Sequence, residues 1–136
     1  MNASTERRKL LILANDRELR RQLESIFADL DVVCSDTSEQ ALVIVRRVEP
    51  DVVLFDLGNA TEAAQATQSL ELLRQILNIA PETKIIAMTE HDARELAVQA
   101  VGLGATDFYH KPINAPVLSI VVRRAFRIRE LEEENG

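Results

Sequence analysis

The chain has 136 residues, enough for one ordinary domain with a sizeable core and too few for two. Its net charge of −6 gives no general attraction to nucleic acid or to an anionic membrane surface, so we expect no direct nucleic-acid binding and no membrane partner. No apolar stretch approaches the roughly 20 residues that span a bilayer, and the single cysteine, Cys34, excludes an internal disulfide and favours a cytoplasmic location.

Short apolar runs predict the strands. They cover residues 10–14, 31–34, 52–55, 85–88 and 106–109. Because these runs are continuous in their hydrophobicity and do not alternate with polar residues, we expect strands that are buried on both faces. That is typical of an all-parallel sheet covered by helices.

Segments of helical periodicity lie between the strands. They predict helices over residues 17–30, 38–48, 65–79, 92–103 and 115–134. Residues 57–67 are interpreted as an irregular stretch, long for a strand-to-helix loop. The order of elements predicts an α/β fold with a doubly wound, five-stranded parallel sheet, the strand–helix unit repeated five times, and an extended C-terminal helix.

Three polar residues follow three of the predicted strands. Asp56 stands directly after one strand, Thr89 after the next, and Lys111, with Pro112 behind it, after the last. The carboxyl edge of an open α/β sheet is where ligands and chemistry gather, so we expect these side chains to meet there. A carboxylate, a hydroxyl and an ammonium in one shallow pocket suit the capture of a phosphoryl group.

At this point the pattern resembles the response-regulator receiver domain of two-component signalling, most closely the receivers of sigma-54-dependent activators. The markers are Asp56, Thr89, Lys111-Pro112, Phe108 and the segment 102–105. The resemblance implies a flavodoxin-like fold and divides the chain into a flexible N-terminus (1–8), a receiver domain (9–128) and the start of a helical linker (129–136) to an output domain.

The resemblance also implies a switch. Asp56 would accept a phosphoryl group from a sensor histidine kinase, Thr89 would hydrogen-bond one of its oxygens, and Lys111 would pair with another. Phe108 would then turn inward and repack the face formed by the fourth helix, fifth strand and fifth helix. That face, or the C-terminal helix, would control an output domain or a homodimer in transcription regulation. Beyond self-phosphorylation from a phosphodonor, no enzymatic activity is expected.

The resemblance is weaker at the residues that would bind a metal ion. Receivers usually end the first strand with two adjacent acids that hold Mg²⁺, and the ungapped register puts Ala14 and Asn15 there, with Asp16 next. Shifting by one residue gives Asn15 and Asp16 instead. We therefore expect weak Mg²⁺ binding at most, with these candidate ligands: Asp56, Asp16, Asn15 and the backbone carbonyl of Gly58.

Other interpretations stay open. The chain could be a pseudo-receiver, a phosphorylation-independent interaction or dimerisation module. Thr89 could merely cap the helix after it, and His91 and His110 are interpreted as loop histidines with solvated or hydrogen-bonded roles. A flavodoxin-like cofactor binder lacks support, because no Gly-rich phosphate loop follows the first strand and the chain has one tyrosine and no tryptophan to stack on a flavin.

Overall fold

A computed structural model describes residues 8–36, 38–58 and 63–135. Most of the predicted flexible N-terminus, residues 1–7, lies outside this part. All five strands are parallel and form one sheet in the order β2-β1-β3-β4-β5. The strands are β1 Lys9–Leu13, β2 Asp31–Ser35, β3 Val52–Gly58, β4 Lys84–Thr89 and β5 Asp107–His110.

Five helices follow the five strands in turn. They are α1 Arg17–Ile26, α2 Ser38–Val48, α3 Ala63–Ile79, α4 Arg94–Gly102 and α5 Ala115–Asn135. The predicted doubly wound α/β fold is confirmed, and α5, at 21 residues, is the extended C-terminal helix. No helix in the described ranges is long and apolar enough to cross a bilayer.

The sheet separates two apolar cores. On one side Leu10, Ile12 and Leu54 pack with residues of α1 and α5 such as Leu23 and Phe126. On the other side, alternate residues of the same strands pack against α2, α3 and α4. Since both faces of the central strands are covered, their apolar side chains are buried, which explains their continuous hydrophobicity.

Two element boundaries differ from the prediction. Helix α1 ends at Ile26 and not at residue 30, because the chain turns at Phe27. Phe27 and Leu30 are nevertheless buried, so their apolar spacing reflects the core and not a helix. The irregular stretch predicted for 57–67 is also shorter: buried Leu57 continues β3 to Gly58, and the alanine-rich segment after residue 62 is already helical.

The end of α5 packs beneath the amino edge of the sheet. Lys84, the first residue of β4, pairs with Glu132 at 2.8 Å. Arg8, just before β1, pairs with Glu130 at 2.8 Å and lies 5.4 Å above the ring of Phe126. These contacts tie the last turns of α5 to the domain.

Candidate functional site

Asp56 lies near the carboxyl end of the central strand β3, with only 11% of its side chain exposed. Its Oδ1 accepts a hydrogen bond of 3.0 Å from the backbone N–H of Gly58. Gly58 has a φ of +79°, a left-handed conformation that glycine adopts without strain, and the register of β3 on β4 shifts between Asp56 and Gly58. This irregularity places a backbone donor on the Asp56 carboxylate.

Lys111 brings its ammonium to both oxygens of that carboxylate. Its Nζ lies 3.0 Å from Asp56 Oδ1 and 3.1 Å from Oδ2. The Lys111 backbone N–H donates to Thr89 O at 2.8 Å, and the peptide bond between Lys111 and Pro112 is cis. Asp56 and Lys111, which are 55 residues apart in sequence, therefore meet as expected.

Glu90 is a member of the site that the sequence reasoning missed. Its Oε2 lies 3.0 Å from Lys111 Nζ, so one ammonium serves two carboxylates. Burial alone would lower the pKa of Lys111, but the hydrogen bond to Glu90 and the charge of Asp56 outweigh it and raise that pKa. The position of Glu90, directly after Thr89 at the same sheet edge, was the signal available in the sequence.

Thr89 ends β4 and is fully buried. Its Oγ1 lies 2.8 Å from Nδ1 of His110, its register partner on β5. His110 thus has the hydrogen-bonded role expected of it, but it lies in a strand and not in a loop. The capping alternative for Thr89 is wrong, because Ala93 is the N-cap of α4 and makes no side-chain cap bond.

Phe108 lies at the margin of this edge. Its side chain is 43% exposed, and its ring centroid lies 5.1 Å from that of His110, two residues further along β5. The expected switch residue therefore stands in an outward position here, in contact with the histidine that holds Thr89.

The candidate metal ligands do not form a ligand set. Asp16 is the N-cap of α1, where its Oδ1 accepts from the N–H groups of Glu18 and Leu19. The Gly58 carbonyl accepts a hydrogen bond from the N–H of Glu90, and the Asp56 carboxylate is ion-paired with Lys111. Asn15 is exposed. Over the described residues no group of three or more His, Cys, Asp or Glu side chains could hold a metal ion, so any Mg²⁺ here would depend on few protein ligands and on water.

An open cavity of about 760 Å³ lies over Asp56. The loop after β1, the end of β2 and the polar face of α3 line it, with Asn15, Asp16, Asp36, Gln68 and Lys111 among the lining residues. Solvent can therefore reach the carboxylate from this side.

A five-stranded parallel α/β sheet with an aspartate, a lysine and a buried threonine at its carboxyl edge defines a receiver-type signalling domain. Comparison with known families agrees: residues 10–123 match the model of the response regulator receiver domain. The chain belongs to this family, whose members are signalling domains of two-component systems and generally bind Mg²⁺ in an acidic pocket.

Individual relatives support the same assignment. Over 128 residues the chain is 27% identical to the regulatory protein AtoC of Escherichia coli, and over 129 residues it is 33% identical to the C4-dicarboxylate transport transcriptional regulatory protein DctD of Pseudomonas aeruginosa. Each comparison covers 93% of this chain and 27% of the relative, so the chain spans about a quarter of their length. The expected likeness to sigma-54-dependent response regulators is confirmed.

Solved structures show the same fold. NtrX from Brucella abortus superposes with a TM-score of 0.82 at 26% identity, over 93% of this chain and 28% of that one. The isolated receiver domain of NtrX from the same organism gives a TM-score of 0.77 at 25% identity, over 87% and 98% of the two chains.

Proposed function

We propose that Asp56 accepts a phosphoryl group from a phosphohistidine of a sensor histidine kinase. The observation that carries this proposal is the placement of the Asp56 carboxylate, with Lys111 Nζ about 3 Å from both of its oxygens, at the floor of an open cavity. An Asp56 oxygen attacks phosphorus, the bond from phosphorus to the kinase histidine breaks, and an acyl phosphate forms.

Lys111 and Thr89 act on the transferred group. The Lys111 ammonium offsets the negative charge that gathers when a phosphoryl group meets a carboxylate. Thr89, on the neighbouring strand, turns its hydroxyl to a phosphoryl oxygen. Phe108 then leaves its exposed position and moves inward, which alters the face formed by α4, β5 and α5.

The altered face is proposed to control an output domain or a homodimer, in the cytoplasm, as part of transcription regulation. Exposed apolar side chains support a contact role for this face: Val98 and Val101 on α4, Phe108 on β5, and Val117 and Ile120 on α5. The part of α5 from residue 129 is proposed to begin a helical linker, and residues 9–128 to form the receiver proper.

Mg²⁺ binding to this site is proposed to be weak. Of the four candidate ligands, Asp16 caps a helix, Gly58 O accepts a hydrogen bond from the N–H of Glu90, and Asp56 is paired with Lys111. A Mg²⁺ titration followed by NMR would measure this. A dissociation constant well above the millimolar range is expected, and a dissociation constant of a millimolar or lower would contradict the proposal.

To test the proposed function, the chain is incubated with acetyl phosphate, with and without Mg²⁺, and the mass of the intact chain is measured. Wild type should gain one phosphoryl adduct, and the NMR signals of Thr89 and Phe108 should shift. Asp56→Ala should show neither change. Asp36→Asn is the matched control, since Asp36 also lines the cavity, and it should behave like wild type. If wild type and Asp56→Ala behave identically, the proposed function fails.

A second candidate function is a pseudo-receiver that dimerises without phosphorylation, with no catalytic role. The absence of a Mg²⁺ ligand set among the described residues favours it. It predicts that light scattering gives the same mass before and after treatment with a phosphodonor. A mass that changes in wild type and not in Asp56→Ala would reject it.

A further inference from the structure

Thr89 and His110 form a pair across the carboxyl ends of β4 and β5. They are register partners on these parallel strands, and Thr89 Oγ1 lies 2.8 Å from His110 Nδ1. Because Thr89 is fully buried, its hydroxyl needs a hydrogen-bond partner within the protein, and His110 provides one. The Thr89 hydroxyl is thus engaged in the state without phosphate.

His110 also contacts Phe108. The two residues are two positions apart on β5, so their side chains project to the same face of the sheet. Their ring centroids lie 5.1 Å apart at an interplanar angle of 58°, within the range in which aromatic rings attract each other. Tyr109, between them, belongs to the core on the other face. One imidazole therefore touches both Thr89 and Phe108.

We propose that His110 is a positioning residue that holds Thr89 in its resting orientation and transmits the movement of Thr89 to Phe108. This inference rests on the proposed function, in which Thr89 turns to a phosphoryl oxygen on Asp56. When the hydroxyl turns, it leaves Nδ1, and the imidazole loses one of its two contacts. The Phe108 ring, which packs on that imidazole, is then released from its outward position.

The exchange of partners makes this arrangement reversible. With Nδ1 unprotonated, His110 accepts the hydrogen bond from the Thr89 hydroxyl, and in the other tautomer Nδ1–H donates to Oγ1. In both cases the hydroxyl gives up one hydrogen bond and forms another with a phosphoryl oxygen. Since a hydrogen bond is exchanged and not simply lost, His110 restrains Thr89 without blocking it.

Three substitutions separate the two contacts of the imidazole. His110→Phe keeps a ring beside Phe108 and removes the hydrogen bond to Thr89. His110→Asn places an amide near the position of Nδ1 and removes the ring. Thr89→Val removes the hydroxyl and keeps a β-branched side chain of similar shape.

The primary measurement is NMR of the chain without phosphodonor, which records the Thr89 methyl group and the Phe108 amide. His110→Phe and Thr89→Val should move the Phe108 amide in the same direction, and the double variant should move it no further. His110→Asn should restore the wild-type Thr89 methyl signal. Additive shifts in the double variant, or an unchanged Thr89 methyl signal in His110→Phe, would overturn the inference. Where His110→Phe does not fold, His110→Gln serves, because its longer amide misses the Nδ1 position.

A beryllofluoride titration with Mg²⁺ then separates this inference from the proposed function. In His110→Phe the concentration at half response of Thr89 should fall by roughly 2- to 10-fold, the range that one hydrogen bond represents. In His110→Asn, Thr89 should respond while the Phe108 shift is reduced. Equal responses of wild type and both variants would overturn the inference alone. If wild type and Asp56→Ala respond alike, the proposed function fails, and the spectra without phosphodonor still decide the role of His110.

Discussion

The ammonium of Lys111 lies 3.0 Å from Glu90 Oε2, the same distance at which it lies from the nearer oxygen of Asp56. Lys111 is thus shared between the proposed phosphoacceptor and a carboxylate that has no place in the proposed transfer. This sharing sets the charge balance of the site, because Glu90 adds a second negative group beside the position that a phosphoryl group would take.

Glu90→Gln is expected to lower the pKa of Lys111 towards its ordinary value of 10.5, since Glu90 supplies the largest of the effects that raise it. The ¹³Cε shift of Lys111 during an alkaline titration measures this, and Lys111→Arg identifies the signal among only three lysines. Glu95→Gln is the control, because Glu95 is an exposed residue of α4, and this change should leave the pKa of Lys111 unaltered.

The same pair gives a pH dependence of stability. Because the pKa of Lys111 is higher in the folded state than in the unfolded state, its contribution is fully present below pH 10.5 and is lost as the pH rises through the folded-state pKa. Urea unfolding at pH 8 should therefore show wild type more stable than Glu90→Gln. In strongly alkaline solution this difference should shrink, and a difference that grows with pH would contradict the account.

Asp16→Ala is expected to destabilise the fold by about 1 kcal/mol, because it removes the acceptor for two N–H groups at the start of α1. Asp16→Asn keeps a capping oxygen and should be nearly neutral. Urea unfolding measures both. If Asp16 were a metal ligand instead, Asp16→Asn would weaken Mg²⁺ binding without the stability pattern expected of a cap.

Gly104→Ala is expected to destabilise the fold by about 1–3 kcal/mol. Gly104 has a φ of +122°, and a Cβ there would lie 2.8 Å from Leu77 Cδ1, so backbone and side chain both resist the change. Gly102→Ala is the matched control: it lies in α4 with open space around its Cβ, and alanine favours helix there. Thermal unfolding should separate the two variants, and equal effects would be incompatible with the strain assigned to Gly104.

Cys34 should be slow to react with thiol reagents. Burial, and then the hydrogen bond from the thiol to Glu24, raise its pKa from 9.0 to about 11 against the opposing charge of Arg20. At pH 8 the folded chain should therefore hold about a hundredth of the thiolate of an unfolded one. Alkylation by iodoacetamide, compared with and without urea, measures this, and Glu24→Gln should speed the reaction in the folded chain.

The fold was predictable because strands that are buried on both faces appear in the sequence as uninterrupted apolar runs. Leu10, Val53 and Ile86 belong to runs without polar residues, and only strands covered on both sides tolerate such runs. The end of α1 was not predictable, since Phe27 and Leu30 are as apolar as helix residues and are buried from a turn. The spacing of apolar residues indicates which residues are buried, but it does not show where the helical hydrogen bonds end.

The proposed site was predictable in part for the same kind of reason. Asp56 lies near the end of β3 and Lys111 follows β5, with β4 between these two strands, and the parallel sheet brings such ends to the same edge. The contacts of Glu90 and His110 depend on side-chain rotamers at that edge, which strand order does not specify. The role of Asp16 as a helix cap was not predictable for a similar reason, because an acidic residue after a strand can either bind a metal or cap the next helix.

Trapping the acyl phosphate shows directly whether Asp56 is the phosphoacceptor. The chain is treated with acetyl phosphate, reduced with sodium borohydride, and digested for peptide mass spectrometry. We expect homoserine at position 56 in wild type and in Asp36→Asn, and none in a sample without phosphodonor. An unmodified Asp56, or reduction at another carboxylate while Asp56 stays intact, would contradict it.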